Sequence, residues 1–126
     1  MGQVNRPLVL VVEDEPIVRE MVCMDLDDAG FDTIDAGSGD EAIAILGRHN
    51  NGDRPISLLF TDISMPGKTD GWALAEAARA LLPDLNVVYA SGYSPVLTRA
   101  VPRSHFLSKP YRTSLLLKTI RSFVRP

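Results

Sequence analysis

One cysteine and one tryptophan occur in the 126 residues, and aromatic residues make up only 6%. The lone Cys23 excludes an internal disulfide framework, so an apolar core must hold the fold, and a reducing cytoplasm fits. No apolar run approaches the ~20 residues that a membrane span needs, and the start lacks a signal-peptide pattern. A basic surplus is missing too. Thirteen Lys and Arg against sixteen Asp and Glu leave a net charge of -3, which argues against nucleic-acid binding driven by bulk charge. What is present is 45% hydrophobic and 23% charged residues, a composition that can bury a core. The length suits one domain and leaves no room here for a two-domain enzyme or a large barrel.

Short apolar runs alternate with segments of helical period. Leu8-Val-Leu-Val-Val12 is unbroken by polar residues, as in a strand buried on both faces of a parallel sheet. Pro16 then suits the first turn of a helix carrying Ile17, Val18, Met21, Val22 and Leu26, and Gly30 supplies its stop. Residues 31–36 read as a second strand of mixed polarity, hence an edge or near-edge strand. Ser38-Gly-Asp-Glu41 has the pattern of a capping box and opens a second helix. A polar turn containing Asn51-Gly52 leads to a third strand, residues 57–61, ending at Asp62. A helix follows from Gly71 to Leu82, closed by Pro83. Residues 86–90 form the fourth strand, ending at Ser91-Gly92. Pro95 and Pro102 leave room only for a short helix between them. Residues 105–108 form the fifth strand, ending at Lys109-Pro110, and Thr113 can cap a last helix. Five βα units with right-handed crossovers predict one α/β domain, 1–126 with its core at about 7–125, and helices on both faces of a parallel sheet.

In open α/β sheets ligands bind beyond the carboxyl ends of the strands. The residues just after the strands are Glu13-Asp14, Asp62, Ser91 and Lys109, so carboxylates, a hydroxyl and an ammonium converge on one rim. Three carboxylates in one pocket repel, each pair by roughly 4 kcal/mol at about 4 Å and an effective dielectric near 20. Such a cluster persists when a cation neutralises it or when pKa values rise. Oxygen donors with room for water favour Mg²⁺. A metal and a lysine also supply the spread positive charge that a phosphoryl group needs during transfer, and one carboxylate could attack phosphorus to form an acyl phosphate.

Glu13-Asp14, Asp62 in Thr-Asp-Ile-Ser-Met-Pro, Asp70-Gly71, Ala90-Ser-Gly92 and Lys109-Pro-Tyr111 occur in order at these strand ends. Together they resemble the receiver domain of two-component response regulators, over about residues 7–125. The resemblance implies a flavodoxin-like, doubly wound sheet of five parallel strands in the order 2-1-3-4-5, with a short or irregular fourth helix. It implies a cytoplasmic signalling module rather than an enzyme, catalysing at most its own phosphorylation and dephosphorylation. Asp62 is then the phosphoacceptor, served by a histidine kinase or a histidine phosphotransfer protein. Glu13, Asp14, Asp62 and the backbone carbonyl of Ser64 would hold Mg²⁺, with Asp14 bound directly and Glu13 through water. Ser91 and Lys109 would bind the phosphoryl group, Lys109-Pro110 would be cis, and Phe106 would change rotamer with Ser91. No direct contact with nucleic acid or membrane is implied, so output passes through a protein partner or a parent chain.

Several residues depart from the family pattern. The loop from Met65 to Gly71 is one residue longer than its commonest form, and Ser64 stands where relatives often have asparagine. Lys109 follows Ser91 by only 18 positions, which shortens the fourth helix. Tyr93 stands where side chains gate water. The stretch Tyr89-Ala-Ser-Gly-Tyr93 is similar to receivers of hybrid histidine kinases and to stand-alone single-domain regulators. Gly67-Lys68-Thr69 is no phosphate loop, because Asp62 occupies the position of its first glycine. Cys23, His49 and His105 read as packing or surface residues, and Trp72 as packing at the start of the third helix. Two other functions are compatible with parts of this pattern. One is a small aspartyl-nucleophile phosphatase, which Ser64 disfavours where a second aspartate would stand. The other is an adaptor independent of phosphorylation, which the full set of Asp62, Ser91 and Lys109 disfavours.

Overall fold

The structure is a computed structural model and describes residues 6–49, 54–92 and 99–125. Along the chain run β1 (Leu8–Val12), α1 (Pro16–Asp28), β2 (Asp32–Ala36), α2 (Gly39–His49), β3 (Leu58–Asp62), α3 (Gly71–Leu81), β4 (Asn86–Ser91), β5 (Ser104–Ser108) and α4 (Thr113–Phe123). The strands form one parallel sheet in the order β2-β1-β3-β4-β5. The all-apolar β1 is central and wholly buried, whereas β2, with Asp32 and Asp35 among its five residues, lies at the edge.

Alternation along the strands divides the core into two layers. Val9, Val11, Phe60 and Val88 meet Val22 and Leu26 of α1 and Leu116 and Ile120 of α4. On the opposite face Leu10, Val12, Leu59 and Val87 meet Ala42, Ile45 and Leu46 of α2 and Leu74 and Ala78 of α3. Each fully buried leucine contributes about 2 kcal/mol, so the sheet is anchored from both sides.

Helix ends follow local chemistry. Gly30 (φ 99°) ends α1: its N–H donates to the Asp27 carbonyl at 3.1 Å while that of Phe31 donates to Leu26 at 3.0 Å. This is the paired bonding of a left-handed glycine stop, and Phe31 and Leu26 both pack in the layer beneath α1. At α2 the Ser38 hydroxyl accepts from the Glu41 N–H at 3.1 Å, but Glu41 reaches back to the N–H of Gly37, not Ser38. The capping box is therefore shifted by one residue on its return arm. Thr113 does not cap α4. Arg112 holds that position, and the Thr113 hydroxyl lies on the first turn and donates to Asp25 Oδ2 at 3.0 Å, linking α4 to α1.

Tyr93 and the first part of the stretch 94–103, where a short fourth helix is expected, fall on residues 93–98, and the Asn51-Gly52 turn on 50–53, so these lie outside the described residues; the described residues 99–103 form no α-helix. The chain after residue 98 is fastened to the core. The buried Tyr89 hydroxyl accepts from the Val101 N–H at 3.1 Å, and Arg79 of α3 donates to the carbonyls of Leu85, Pro102 and Arg103 at 2.7, 2.6 and 3.1 Å. Trp72 packs on Tyr89, ring centroids 4.8 Å apart. His49 Nδ1 donates to the Arg54 carbonyl at 2.8 Å, and His105 lies exposed beside the Phe123 ring.

Candidate functional site

The carboxyl ends of β1, β3, β4 and β5 converge because the parallel ladder continues one residue past each of three strands. Glu13 N–H donates to the Ala36 carbonyl at 3.1 Å, Ile63 to Ala90 at 3.0 Å, and Lys109 to Ser91 at 2.8 Å. These bonds fix the backbone on which the polar side chains stand. Asp62 lies opposite Ala90 and Ser91 opposite Ser108, so Asp62, Ser91 and Lys109 follow one another across the rim. Gly71 closes the far side of the Asp62 loop. Its N–H donates to the Ile63 carbonyl at 2.8 Å, and a Cβ there would stand 2.3 Å from the Asp62 carbonyl oxygen. Only glycine permits that approach.

One carboxylate oxygen from each of Glu13, Asp14 and Asp62 lies within 4.8 Å of the others. Lys109 Nζ donates to Glu13 Oε1 at 2.8 Å and forms an ion pair with Asp62 Oδ2 at 3.4 Å. The second Glu13 oxygen accepts from the Glu15 N–H at 3.2 Å. Glu13 and Asp62 are 3% and 9% exposed, too little for water to screen their charges fully. Lysine supplies one positive charge to three acids. Burial pushes the Asp62 carboxyl above its ordinary value; Lys109 draws it back, and Asp14 adds to the rise. Burial likewise raises Glu13 against the pull of its hydrogen bonds to Lys109 and Glu15. Burial disfavours the Lys109 ammonium, but the bond to Glu13 and the charge of Asp62 outweigh that and hold its pKa above the usual lysine value. The Tyr111 hydroxyl beside this group is pushed up to about 12, chiefly by burial, and its ring meets Phe60 edge-on at 6.1 Å.

The remaining residues singled out from the sequence occupy graded positions. Ser91 is buried at the rim. Phe106 is half-buried, opposite Tyr89 in the β4–β5 register and on the face of the α2–α3 layer. Ser64 is exposed at the start of the β3–α3 loop. That loop is secured further along, where the Thr69 hydroxyl donates to Asp40 of α2 at 2.6 Å. The Lys109-Pro110 peptide is cis. Sequence reasoning passed over Arg19, whose guanidinium donates to the Glu13 carbonyl at 2.8 Å. The available signal was a basic residue six positions after the acidic pair began, on the helix that follows it.

An all-oxygen set of three carboxylates, short of positive charge, fits a hard divalent cation of the Mg²⁺ kind. Five parallel strands in the order 2-1-3-4-5 with this donor set at the carboxyl rim define a flavodoxin-like fold with an acidic pocket, and sequence comparison names the family. The family model for the response regulator receiver domain matches residues 9–121, and the chain belongs to that family. Receiver domains are signalling modules of two-component systems and bind Mg²⁺ through an acidic pocket. The chain is 31% identical to the response regulator receiver protein CpdR of Brucella abortus over 120 residues, 92% of this chain and 95% of that protein. It is 28% identical to the transcriptional regulatory protein AruR of Pseudomonas aeruginosa over 94% of its own length, but spans only half of AruR. The crystal structure of a response regulator receiver protein from Sinorhizobium medicae superposes with a TM-score of 0.86, at 30% identity and 94% coverage of both chains. Membership in this family favours neither the phosphatase nor the phosphorylation-independent adaptor. Among the described residues no helix is long and apolar enough to cross a membrane.

Proposed function

We propose that this domain, spanning about residues 7–125, accepts a phosphoryl group on Asp62 from a histidine kinase or a histidine phosphotransfer protein and thereby switches its contacts with a protein partner. The observation that carries the reading is the set of three carboxylates within 4.8 Å of one another with Lys109 against two of them. Glu13, Asp14, Asp62 and the Ser64 carbonyl are the residues that would hold Mg²⁺. When bound, the ion supplies positive charge to the phosphoryl oxygens during transfer.

An Asp62 carboxylate oxygen attacks phosphorus while the bond from phosphorus to the donor's imidazole nitrogen breaks, and the released imidazole takes up a proton. The raised pKa of Asp62 means that its ionised form is strained when no cation is present. Lys109 is already at Asp62 and can shift from Glu13 to a phosphoryl oxygen, which carries more negative charge than the carboxylate it replaces. Ser91, across the ladder from Ser108, supplies a hydroxyl to the same group, and Phe106 on the neighbouring strand fills space as Ser91 turns. The switch needs only to bias two packings by a few kcal/mol. The chemistry is confined to adding and losing this one group, and the setting is cytoplasmic.

Incubation with acetyl phosphate and Mg²⁺ is expected to add one phosphoryl group by intact mass. Asp62→Asn is expected to add none. Equal labelling of both proteins overturns the assignment.

A further inference from the structure

We infer that Arg19 is a positioning residue for the metal-binding acids, acting through the peptide that joins Glu13 to Asp14. This rests on the reading of the acidic cluster as a cation site. Arg19 projects from α1 toward the ends of β1 and β2 and uses both arms of its guanidinium there. Nη1 donates to the Glu13 carbonyl at 2.8 Å, and Nε forms an ion pair with Asp35 Oδ2 at 3.1 Å. The side chain is only 22% exposed. The third neighbour is Gly37, where a Cβ would stand 2.7 Å from Nη1, so a glycine leaves the room in which the guanidinium lies. Asp35, Gly37 and Arg19 thus form a bracket behind the site.

A peptide is planar and trans, so its C=O and N–H point in opposite directions. Fixing the Glu13 carbonyl on Arg19 fixes the plane of the peptide and hence where Asp14 N and Cα stand, leaving the φ torsion of Asp14 as the backbone freedom of its side chain. The preceding peptide is fixed independently by the bond from Glu13 N–H to Ala36. The Glu13 side chain is held by Lys109 and by the Glu15 N–H. Asp14, the acid on which direct metal contact is placed, is thus oriented through a peptide whose carbonyl bond comes from Arg19.

The sign of the effect separates positioning from charge. As a cation near the cluster, Arg19 opposes a bound divalent ion, so by charge alone its removal tightens Mg²⁺ binding. By positioning, its removal weakens binding, because the acids lose their preset direction. Arg19→Lys keeps the charge but cannot reach Glu13 and Asp35 with two separate donors of a planar fork.

Mg²⁺ is titrated into ¹⁵N-labelled wild type, Arg19→Lys and Arg19→Met at 25 °C, with the amide spectrum of each variant confirming the folded state. The Asp14 amide is followed as the reporter. Both variants are expected to bind Mg²⁺ about tenfold more weakly, the size usual for loss of a group that orients a ligand. Arg19→Lys binding as tightly as wild type, or Arg19→Met binding more tightly, overturns the proposal. A wild type whose amides do not respond to Mg²⁺ overturns the cation-site reading itself, a different failure seen in a different sample.

Discussion

The two ends of the sheet carry charge in opposite ways. At the amino end, Asp32 receives Arg6 Nε at 2.9 Å and Arg54 Nη1 at 2.7 Å, and Arg6 also reaches Asp27 at 3.0 Å. Hydrogen bonds from Arg54 and Arg6 hold the Asp32 carboxyl below its ordinary value. At the carboxyl end three acids share one lysine, and burial pushes two of them above theirs. The first arrangement is complete, because each charge finds an opposite partner in partly exposed positions where desolvation costs less. The second is incomplete on its own. The deficit at one rim is what the proposed cation would offset.

The largest contrast is expected from replacing one acid at each end. Asp62→Asn should abolish phosphoryl labelling, whereas Asp32→Asn should leave it unchanged, as read by intact mass. Stability should move the other way. Without Mg²⁺ at neutral pH, Asp62→Asn should raise Tm by about 4 °C, roughly what 1 kcal/mol amounts to in a domain of this size, and Asp32→Asn should lower it. Calorimetric scans of the three proteins check both signs.

Gly71→Ala sharpens the claim that the acidic rim depends on a close backbone approach. The new Cβ would meet the Asp62 carbonyl oxygen at 2.3 Å, so a loss of about 2 kcal/mol is expected by denaturant titration, with weaker Mg²⁺ binding. Mg²⁺ itself should stabilise the wild type by about 1.4 kcal/mol at about ten times its Kd, and Asp14→Asn should lose most of that gain.

Acid should distinguish the two ends more finely. Because the folded pKa of Asp62 lies above its ordinary 3.8, the stability linked to its protonation is complete below that value and lost as pH rises through the folded pKa. The advantage of Asp62→Asn over wild type, measured without Mg²⁺, should therefore shrink on acidification toward pH 4. Asp32 has the opposite sign. Its contribution is present above its ordinary pKa and lost as pH falls through the lowered folded value, and its exposure makes this the smallest effect of the set.

Much of this was legible in the sequence because it depends on local pattern. The unbroken Leu8-Val-Leu-Val-Val12 run suits a strand buried on both faces, and the mixed polarity of β2 an edge or near-edge strand, which are the positions they hold. Glu13, Asp14, Asp62, Ser91 and Lys109 were legible for a topological reason: a parallel sheet delivers every strand end to one rim, so their assembly follows from the strand assignments. Side-chain pairing across the fold was not legible. Nothing local to Thr113 shows that its hydroxyl would turn to Asp25 of α1 instead of capping its own helix. Arg19 reads as one polar residue on an amphipathic helix until β2 brings Asp35 and Gly37 beside it. The preference of Lys109 for Glu13, at 2.8 Å, over Asp62, at 3.4 Å, is likewise a matter of tertiary geometry.

The most direct measurement is a crystal structure of the domain with Mg²⁺ and beryllofluoride, a mimic of the phosphoryl group. Beryllium is expected to be bonded to an Asp62 oxygen, with the metal about 2.1 Å from oxygens of Asp14 and Asp62. Lys109 Nζ is expected to have moved from Glu13 to a fluoride. An Asp62 that carries no beryllofluoride, or a metal seated away from Asp14 and Asp62, would contradict the phosphoacceptor reading.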